Sequence, residues 1–144
     1  LPLDVRDVMR YSNQSVIQFG EQKQLPPSLY RGEPPRDWCH YFNQAELARQ
    51  MRDWERVVEL GEIALALDDT PNDPLERFVF IEGYAHAGGW KKAVELSKVS
   101  YRVSRNFVGP LLCNLWDRIE REVEPSTERD QALETVNGEF GCAP

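Results

Sequence analysis

The chain has 144 residues, of which 41% are hydrophobic and 28% charged, and its formal net charge is −7. These values are typical of one globular domain, and the acidic balance disfavours binding to the negative backbone of a nucleic acid. The apolar run at residues 78–81, like every other apolar run in the chain, is far shorter than the roughly 20 residues that span a bilayer. No secretory-signal pattern is visible, and the start at Leu1 predicts a piece of a longer protein.

Residues 1–37 are predicted to form an irregular, proline-rich arm. A short segment around Ile17 favours a strand, and the prolines and glycines that follow prevent a long helix. We expect this arm to lie across the helical body or to leave a helix face for a homodimer to cover.

Helical periodicity begins near Trp38 and predicts two helices joined by a tight break before Asp53. The Asp53 carboxylate can cap the second helix by accepting from its first free N–H groups. A third helix is predicted after Asp73, with Pro74 at the first helical position and Glu76 completing a capping box. Gly88 and Gly89 then form the turn to a fourth helix.

A fifth helix is predicted from Gly109 and Pro110 to Pro125, and the last residues, 125–144, read as a flexible polar tail. This tail contains at most a turn of helix over residues 130–136. Cys39, Cys113 and Cys142 form an odd set without metal-ligand spacing. We therefore expect no disulfide scaffold, and we interpret Cys113 as a core residue. The cysteines do not show in which cellular compartment the protein lies.

One short sequence segment, called here the repeated phrase, occurs twice. The segment that begins at Trp54 and ends at Leu60 returns 36 residues later, from Trp90 to Leu96. A period in the mid-thirties with two helices per unit indicates a solenoid of helical hairpins. The glutamates of the two copies, Glu59 and Glu95, are expected on an outward helix face.

The two units resemble the tetratricopeptide repeat (TPR), in which a first helix packs on a second in every unit. The resemblance covers roughly residues 38–105 and implies a TPR-like all-α fold of about five helices in a short right-handed solenoid, with residues 38–124 as the helical domain. It depends on an aromatic residue at the start of each second helix and a partner three residues later, on small residues at close contacts, and on one aromatic residue of a first helix. In that order these residues are Trp54 with Val57, Trp90 with Ala93, then Ala64, Ser100 and Ala45, and finally Tyr84.

A second resemblance concerns residues 38–50 with Asp53 and Trp54, together with residues 81–85 and 12–15. These strings are similar to the C-terminal tail of large bacterial multi-pass membrane proteins that resemble glycosyltransferases. The resemblance implies a non-catalytic soluble domain attached to the membrane through its parent protein. It leaves the side of the membrane open, with the extracytoplasmic side favoured, and places any catalytic residues outside this chain.

TPR units bind peptides mainly on the surface of their first helices. The resemblance therefore implies a site for a protein, a peptide or the parent's own membrane part. Because the sequence shows no close pair of metal ligands and no positioned base beside a cysteine, we expect no catalytic residue, metal or cofactor. The predicted binding residues are Phe42, Glu46, Arg49, Gln50, Phe78, Glu82 and His86.

Other interpretations stay open. The same face can be solvated or covered by the arm. A carbohydrate-binding tail would expose Trp38, Tyr41 or Phe42 as an aromatic platform. A small metal- or carboxylate-dependent hydrolase would need His40 or His86 beside a carboxylate in a pocket.

Overall fold

In the computed structural model, the regular secondary structure of the described residues is helical. The chain divides after residue 34 into two units, and the structure describes the second unit at residues 35–69, 71 and 73–142. No strand occurs among these residues, which confirms the predicted all-α class. The helices are α1 (Trp38–Gln50), α2 (Trp54–Leu65), α3 (Phe78–His86), α4 (Trp90–Val103), α5 (Arg105–Glu122) and α6 (Thr127–Phe140), with a 3₁₀ turn at Pro74–Arg77 before α3.

The helices pack as three successive pairs, in which α1 contacts α2, α3 contacts α4, and α5 contacts α6. Because only three or four residues connect the members of a pair, the second helix folds back on the first. The first helices α1, α3 and α5 also contact each other in that order. They form one layer of the unit, and α2, α4 and α6 are the second helices of the pairs.

Short polar side chains set the helix starts much as the sequence predicts. Asp53 accepts a hydrogen bond from Arg56 N at the start of α2, and Asp73 accepts from Leu75 N at the 3₁₀ turn. The predicted capping box is wrong in one respect. The Glu76 carboxylate accepts from the indole Nε1 of Trp38, at 2.6 Å, and so connects the 3₁₀ turn to the start of α1.

The 36-residue period extends to a third pair. Buried Leu60 and Leu96 of the second helices have their equivalent in buried Ala132 of α6, again 36 residues on. In the same way, buried Ala64 of α2 and Ser100 of α4 correspond at 36-residue intervals to buried Val136 of α6. The core is therefore continuous through three pairs, where the sequence predicted two pairs and a fifth helix.

Close contact between α2 and α3 depends on glycine. A Cβ on Gly83 would lie 2.3 Å from Val57 Cγ1, and one on Gly61 would lie 2.9 Å from Phe80 Cδ1. Both distances are too short for carbon atoms, so α2 and α3 pack at this distance only because these two positions have no side chain.

Each of the two tryptophans of the repeated phrase contacts an aromatic ring in the next pair of helices. The Trp54 ring, at the start of α2, stacks on His86 at the end of α3, with 3.9 Å between ring centroids and 6° between planes. The Trp90 ring, at the start of α4, lies 6.5 Å from the Trp116 ring of α5. We conclude that these residues connect successive pairs.

The predicted start of the fifth helix is wrong by one turn. Helix α5 begins at Arg105, and Pro110 lies inside it. Proline removes one backbone hydrogen bond there, but buried Val108 and Leu112 on either side keep the turn packed against the core.

The predicted flexible tail is wrong for residues 127–140. This segment is the 14-residue helix α6, which Ser126 caps by accepting from Arg129 N and which ends at Gly141 with a left-handed φ of +69°. Helix α6 packs on α4 and α5. The expectation of no disulfide is also wrong, because Cys113 of α5 is bonded to Cys142 just after α6.

The predicted arm, residues 1–37, lies outside the described residues except for residues 35–37, which have no regular secondary structure. Its covering role and the alternative homodimer stay predictions.

Candidate functional site

A buried carboxylate lies at the centre of the face formed by the first helices. Glu82 of α3 has a side chain that is only 5% exposed. Arg118 of α5 donates to both of its oxygens, with Nε–Oε1 at 3.1 Å and Nη2–Oε2 at 2.9 Å. Arg49 of α1 approaches Oε2 to 3.7 Å and pairs with Glu46 at 2.8 Å. Three helices therefore contribute to one ion network.

Burial and charge act on Glu82 in opposite directions. Loss of hydration raises the pKa of its carboxyl, and the cations Arg118 and Arg49 oppose that rise. The two-pronged contact with Arg118 supplies the hydrogen bonds that a buried carboxylate requires. The network is thus a preformed arrangement of fixed charges.

His86 extends this network towards the end of α3. Its ring is held flat against Trp54, and its side chain is 10% exposed. Nε2 lies 3.7 Å from a carboxylate oxygen of Glu122, and among the described residues this buried nitrogen has no hydrogen-bond partner. Burial lowers the pKa of His86, while Glu122 raises it by a smaller amount.

We call the residues of this network the odd-helix face, because they lie on α1, α3 and α5. It comprises Glu46, Arg49, Glu82, His86, Arg118 and Glu122.

Four of the seven predicted binding residues lie in the odd-helix face, namely Glu46, Arg49, Glu82 and His86. The other three lie outside the network. Phe42 and Phe78 are half-buried and pack against the core. Gln50 is exposed at the end of α1.

The sequence-based prediction missed two residues of α5, Arg118 and Glu122. Each follows a predicted residue by 36 positions, since Arg118 corresponds to Glu82 and Glu122 to His86. Applying the period once more assigns both residues to positions equivalent to Glu82 and His86, although it does not show that the third pair packs against the second. The prediction stopped because residues 109–124 are interpreted from the sequence as a single fifth helix after the two repeat units.

The structure also shows where the residues lie that would form a carbohydrate-binding platform or a hydrolase site. Trp38 is 2% exposed, so it cannot form an exposed aromatic platform for a sugar. His40 Nε2 lies 2.8 Å from Gln44 Nε2, and Cys39 is an exposed free thiol. Glu59 and Glu95 are exposed as expected. His86 does lie beside carboxylates, as a metal or acid–base site would require.

None of the helices in the described part of the chain is both long and apolar enough to cross a membrane. The chain matches no known protein family, and comparisons with curated proteins and with solved structures give no match.

Proposed function

We propose that this chain is a non-catalytic, TPR-like interaction module that binds a protein or peptide segment on the odd-helix face. The observation that carries the proposal is the network around Glu82, in which three first helices present fixed charges side by side. Glu46 and Glu122 are about a third exposed, and Arg118 is 43% exposed, so the network is accessible to a charged peptide. Preformed charges favour specific binding because little side-chain entropy remains to be lost.

The variation among the three pairs supports the same proposal. Core positions keep small or apolar residues through the period, whereas the odd-helix face has Glu46, Glu82 and Arg118 at equivalent positions. Different charges at equivalent positions give a directional pattern that a partner can recognise.

We also propose that the module is the soluble C-terminal domain of a multi-pass membrane protein that resembles a glycosyltransferase. Its partner is then another protein or the membrane part of its own parent. The Cys113–Cys142 disulfide supports an extracytoplasmic position, since disulfides persist in oxidising compartments. The burial of Trp38 disfavours the alternative role as a carbohydrate-binding tail.

Peptide selection followed by charge reversal tests the interaction proposal. Peptides are selected from a random display library against the folded chain, and their affinities are measured by fluorescence anisotropy. We expect Glu122→Lys to weaken the selected peptides by about tenfold or more, because it reverses a charge on the proposed binding face.

The control is Glu95→Lys, the same charge reversal at an exposed position of α4. It should leave the affinity unchanged. The proposal is refuted if selection yields no binding peptide, or if Glu95→Lys weakens binding while Glu122→Lys does not.

A further inference from the structure

Three potential metal ligands converge at one end of the odd-helix face. Glu82 and His86 are four residues apart on α3, so both side chains lie on one side of that helix. Glu122 comes from the last turn of α5. One ligand atom from each residue lies within 4.8 Å of the other two. Ligands of a tetrahedral zinc ion are about 3.3 Å apart, so small side-chain rotations close this triangle.

The nitrogen of His86 is independent support for a ligand at this place. Nε2 is buried and has no hydrogen-bond partner among the described residues, and it faces Glu122 at 3.7 Å. Buried polar atoms rarely stay unpaired, so such an atom calls for an explanation. A bound cation would accept the free lone pair of the imidazole. The stacked Trp54 ring fixes the imidazole plane and thus the direction of that lone pair.

The contact between Glu82 and Arg118 is compatible with a metal ion. Arg118 donates one hydrogen bond to each oxygen of Glu82, and an ionised carboxylate has about four acceptor positions. One position per oxygen therefore remains. Arg118 then orients the carboxylate from behind, as partners of metal ligands commonly do.

We propose that Glu82, His86 and Glu122 bind one divalent transition-metal ion. One imidazole and two carboxylates match the donors that Zn²⁺ accepts, and three protein ligands leave a coordination position open. The site goes beyond peptide binding and requires no partner, so it can exist whether or not the proposed interaction does.

Titration of the metal-free chain with Zn²⁺ tests the site by isothermal calorimetry. All proteins carry Cys39→Ser, which removes an exposed thiol that could itself bind zinc. We expect one ion per chain with a dissociation constant in the micromolar range or below. Co²⁺ is the second probe, and the visible absorption of its complex should indicate four-coordinate nitrogen and oxygen ligands.

The decisive comparison is between two glutamates of the same helix. Glu122→Gln should weaken Zn²⁺ by about tenfold or more, because it removes a charged ligand. Glu120→Gln makes the same change two residues away at an exposed position and should have no effect. Thermal unfolding without metal should be equal for both, which shows that each variant folds.

Two results would overturn the site. One is no stoichiometric binding at about 100 μM Zn²⁺, and the other is equal affinity in the two glutamine variants. Neither readout involves a peptide, so failure here leaves the interaction proposal intact, and failure of peptide selection leaves the metal site intact.

Discussion

Arg118 occupies in the third pair the position that Glu82 occupies in the second and Glu46 in the first. This change of sign places a cation beside a carboxylate of which only 5% of the side chain is exposed, and the cation opposes the rise that burial causes in the pKa of Glu82. A third glutamate at this position would place like charges together in a poorly hydrated site. Arg118 of the third pair and Arg49 of the first therefore both compensate the burial of Glu82 in the second.

Tyr84 gives a prediction at the residue scale that depends on pH. Its hydroxyl donates to Glu62, and burial together with this carboxylate raises the pKa of Tyr84. An unfolded tyrosine ionises near pH 10, so the contribution of Tyr84 to stability is complete below about pH 10 and is lost as the pH rises further.

We expect Tyr84→Phe to lower the free energy of unfolding by about 1 kcal/mol at pH 8, because the hydrogen bond is lost. The deficit should shrink towards pH 11, since phenylalanine cannot ionise. Urea unfolding at both pH values measures it, with Tyr41→Phe as the control for general effects of alkali. A deficit that is equal at pH 8 and pH 11 contradicts the prediction.

At the scale of elements, helix α6 depends on few apolar residues. Its 14 residues bury four apolar side chains, Ala132, Leu133, Val136 and Phe140. Arg129 adds hydrogen bonds from Nη1 to the carbonyl oxygens of Val123 and Glu120 at the end of α5. The disulfide then fixes the other end of α6.

The Cys113–Cys142 bond is predicted to stabilise the fold substantially. The two cysteines are 29 residues apart, and a loop of that size corresponds to about 3.5 kcal/mol in the chain-entropy account. Cys142→Ser should lower the free energy of urea unfolding by up to about this amount. Cys39→Ser, which changes only an exposed free thiol, should have no effect. If both variants unfold at the same urea concentration, the disulfide contributes nothing to stability.

The sequence predicts helix starts well where a large apolar residue follows a capping side chain or a glycine turn. Trp38, Asp53 and Trp90 mark helix starts that the structure confirms. Helix α6 is not predicted from the sequence because it lacks an aromatic residue at its start. The disulfide is not predicted because the spacing of distant cysteines does not show which of them pair.

The candidate site was predicted in part for a related reason. Periodicity placed Glu82 and His86 on one helix face. It could not show that α5 brings Arg118 and Glu122 to them, since that depends on how the third pair packs. Local sequence patterns do not show the tertiary contacts between elements that are far apart in the sequence.

At the scale of the whole unit, three pairs share one core, which meets the usual minimum for stacked helical repeats. Removal of α6 should therefore damage more than the end of the chain. A chain that stops at residue 125 exposes the surfaces of α4 and α5 that α6 covers. We expect its thermal unfolding, followed by circular dichroism, to occur at a much lower temperature or to lose cooperativity.

The matched control for this truncation is the full chain with Cys113→Ser and Cys142→Ser, which lacks the disulfide but keeps the helix. The truncated chain should be less stable than this control, because it also loses the buried side chains of α6. Equal unfolding temperatures would mean that α6 adds nothing beyond the covalent bond.

The position of the disulfide also determines how the unit responds to mechanical force. Cys142 follows α6, whereas its partner Cys113 lies in the middle of α5. Tension applied to the chain beyond Cys142 therefore enters α5 through the sulfur bridge and bypasses the backbone of α6. A pulling experiment should find α6 shielded from load while the bridge is intact, and should extend it first once the bridge is reduced.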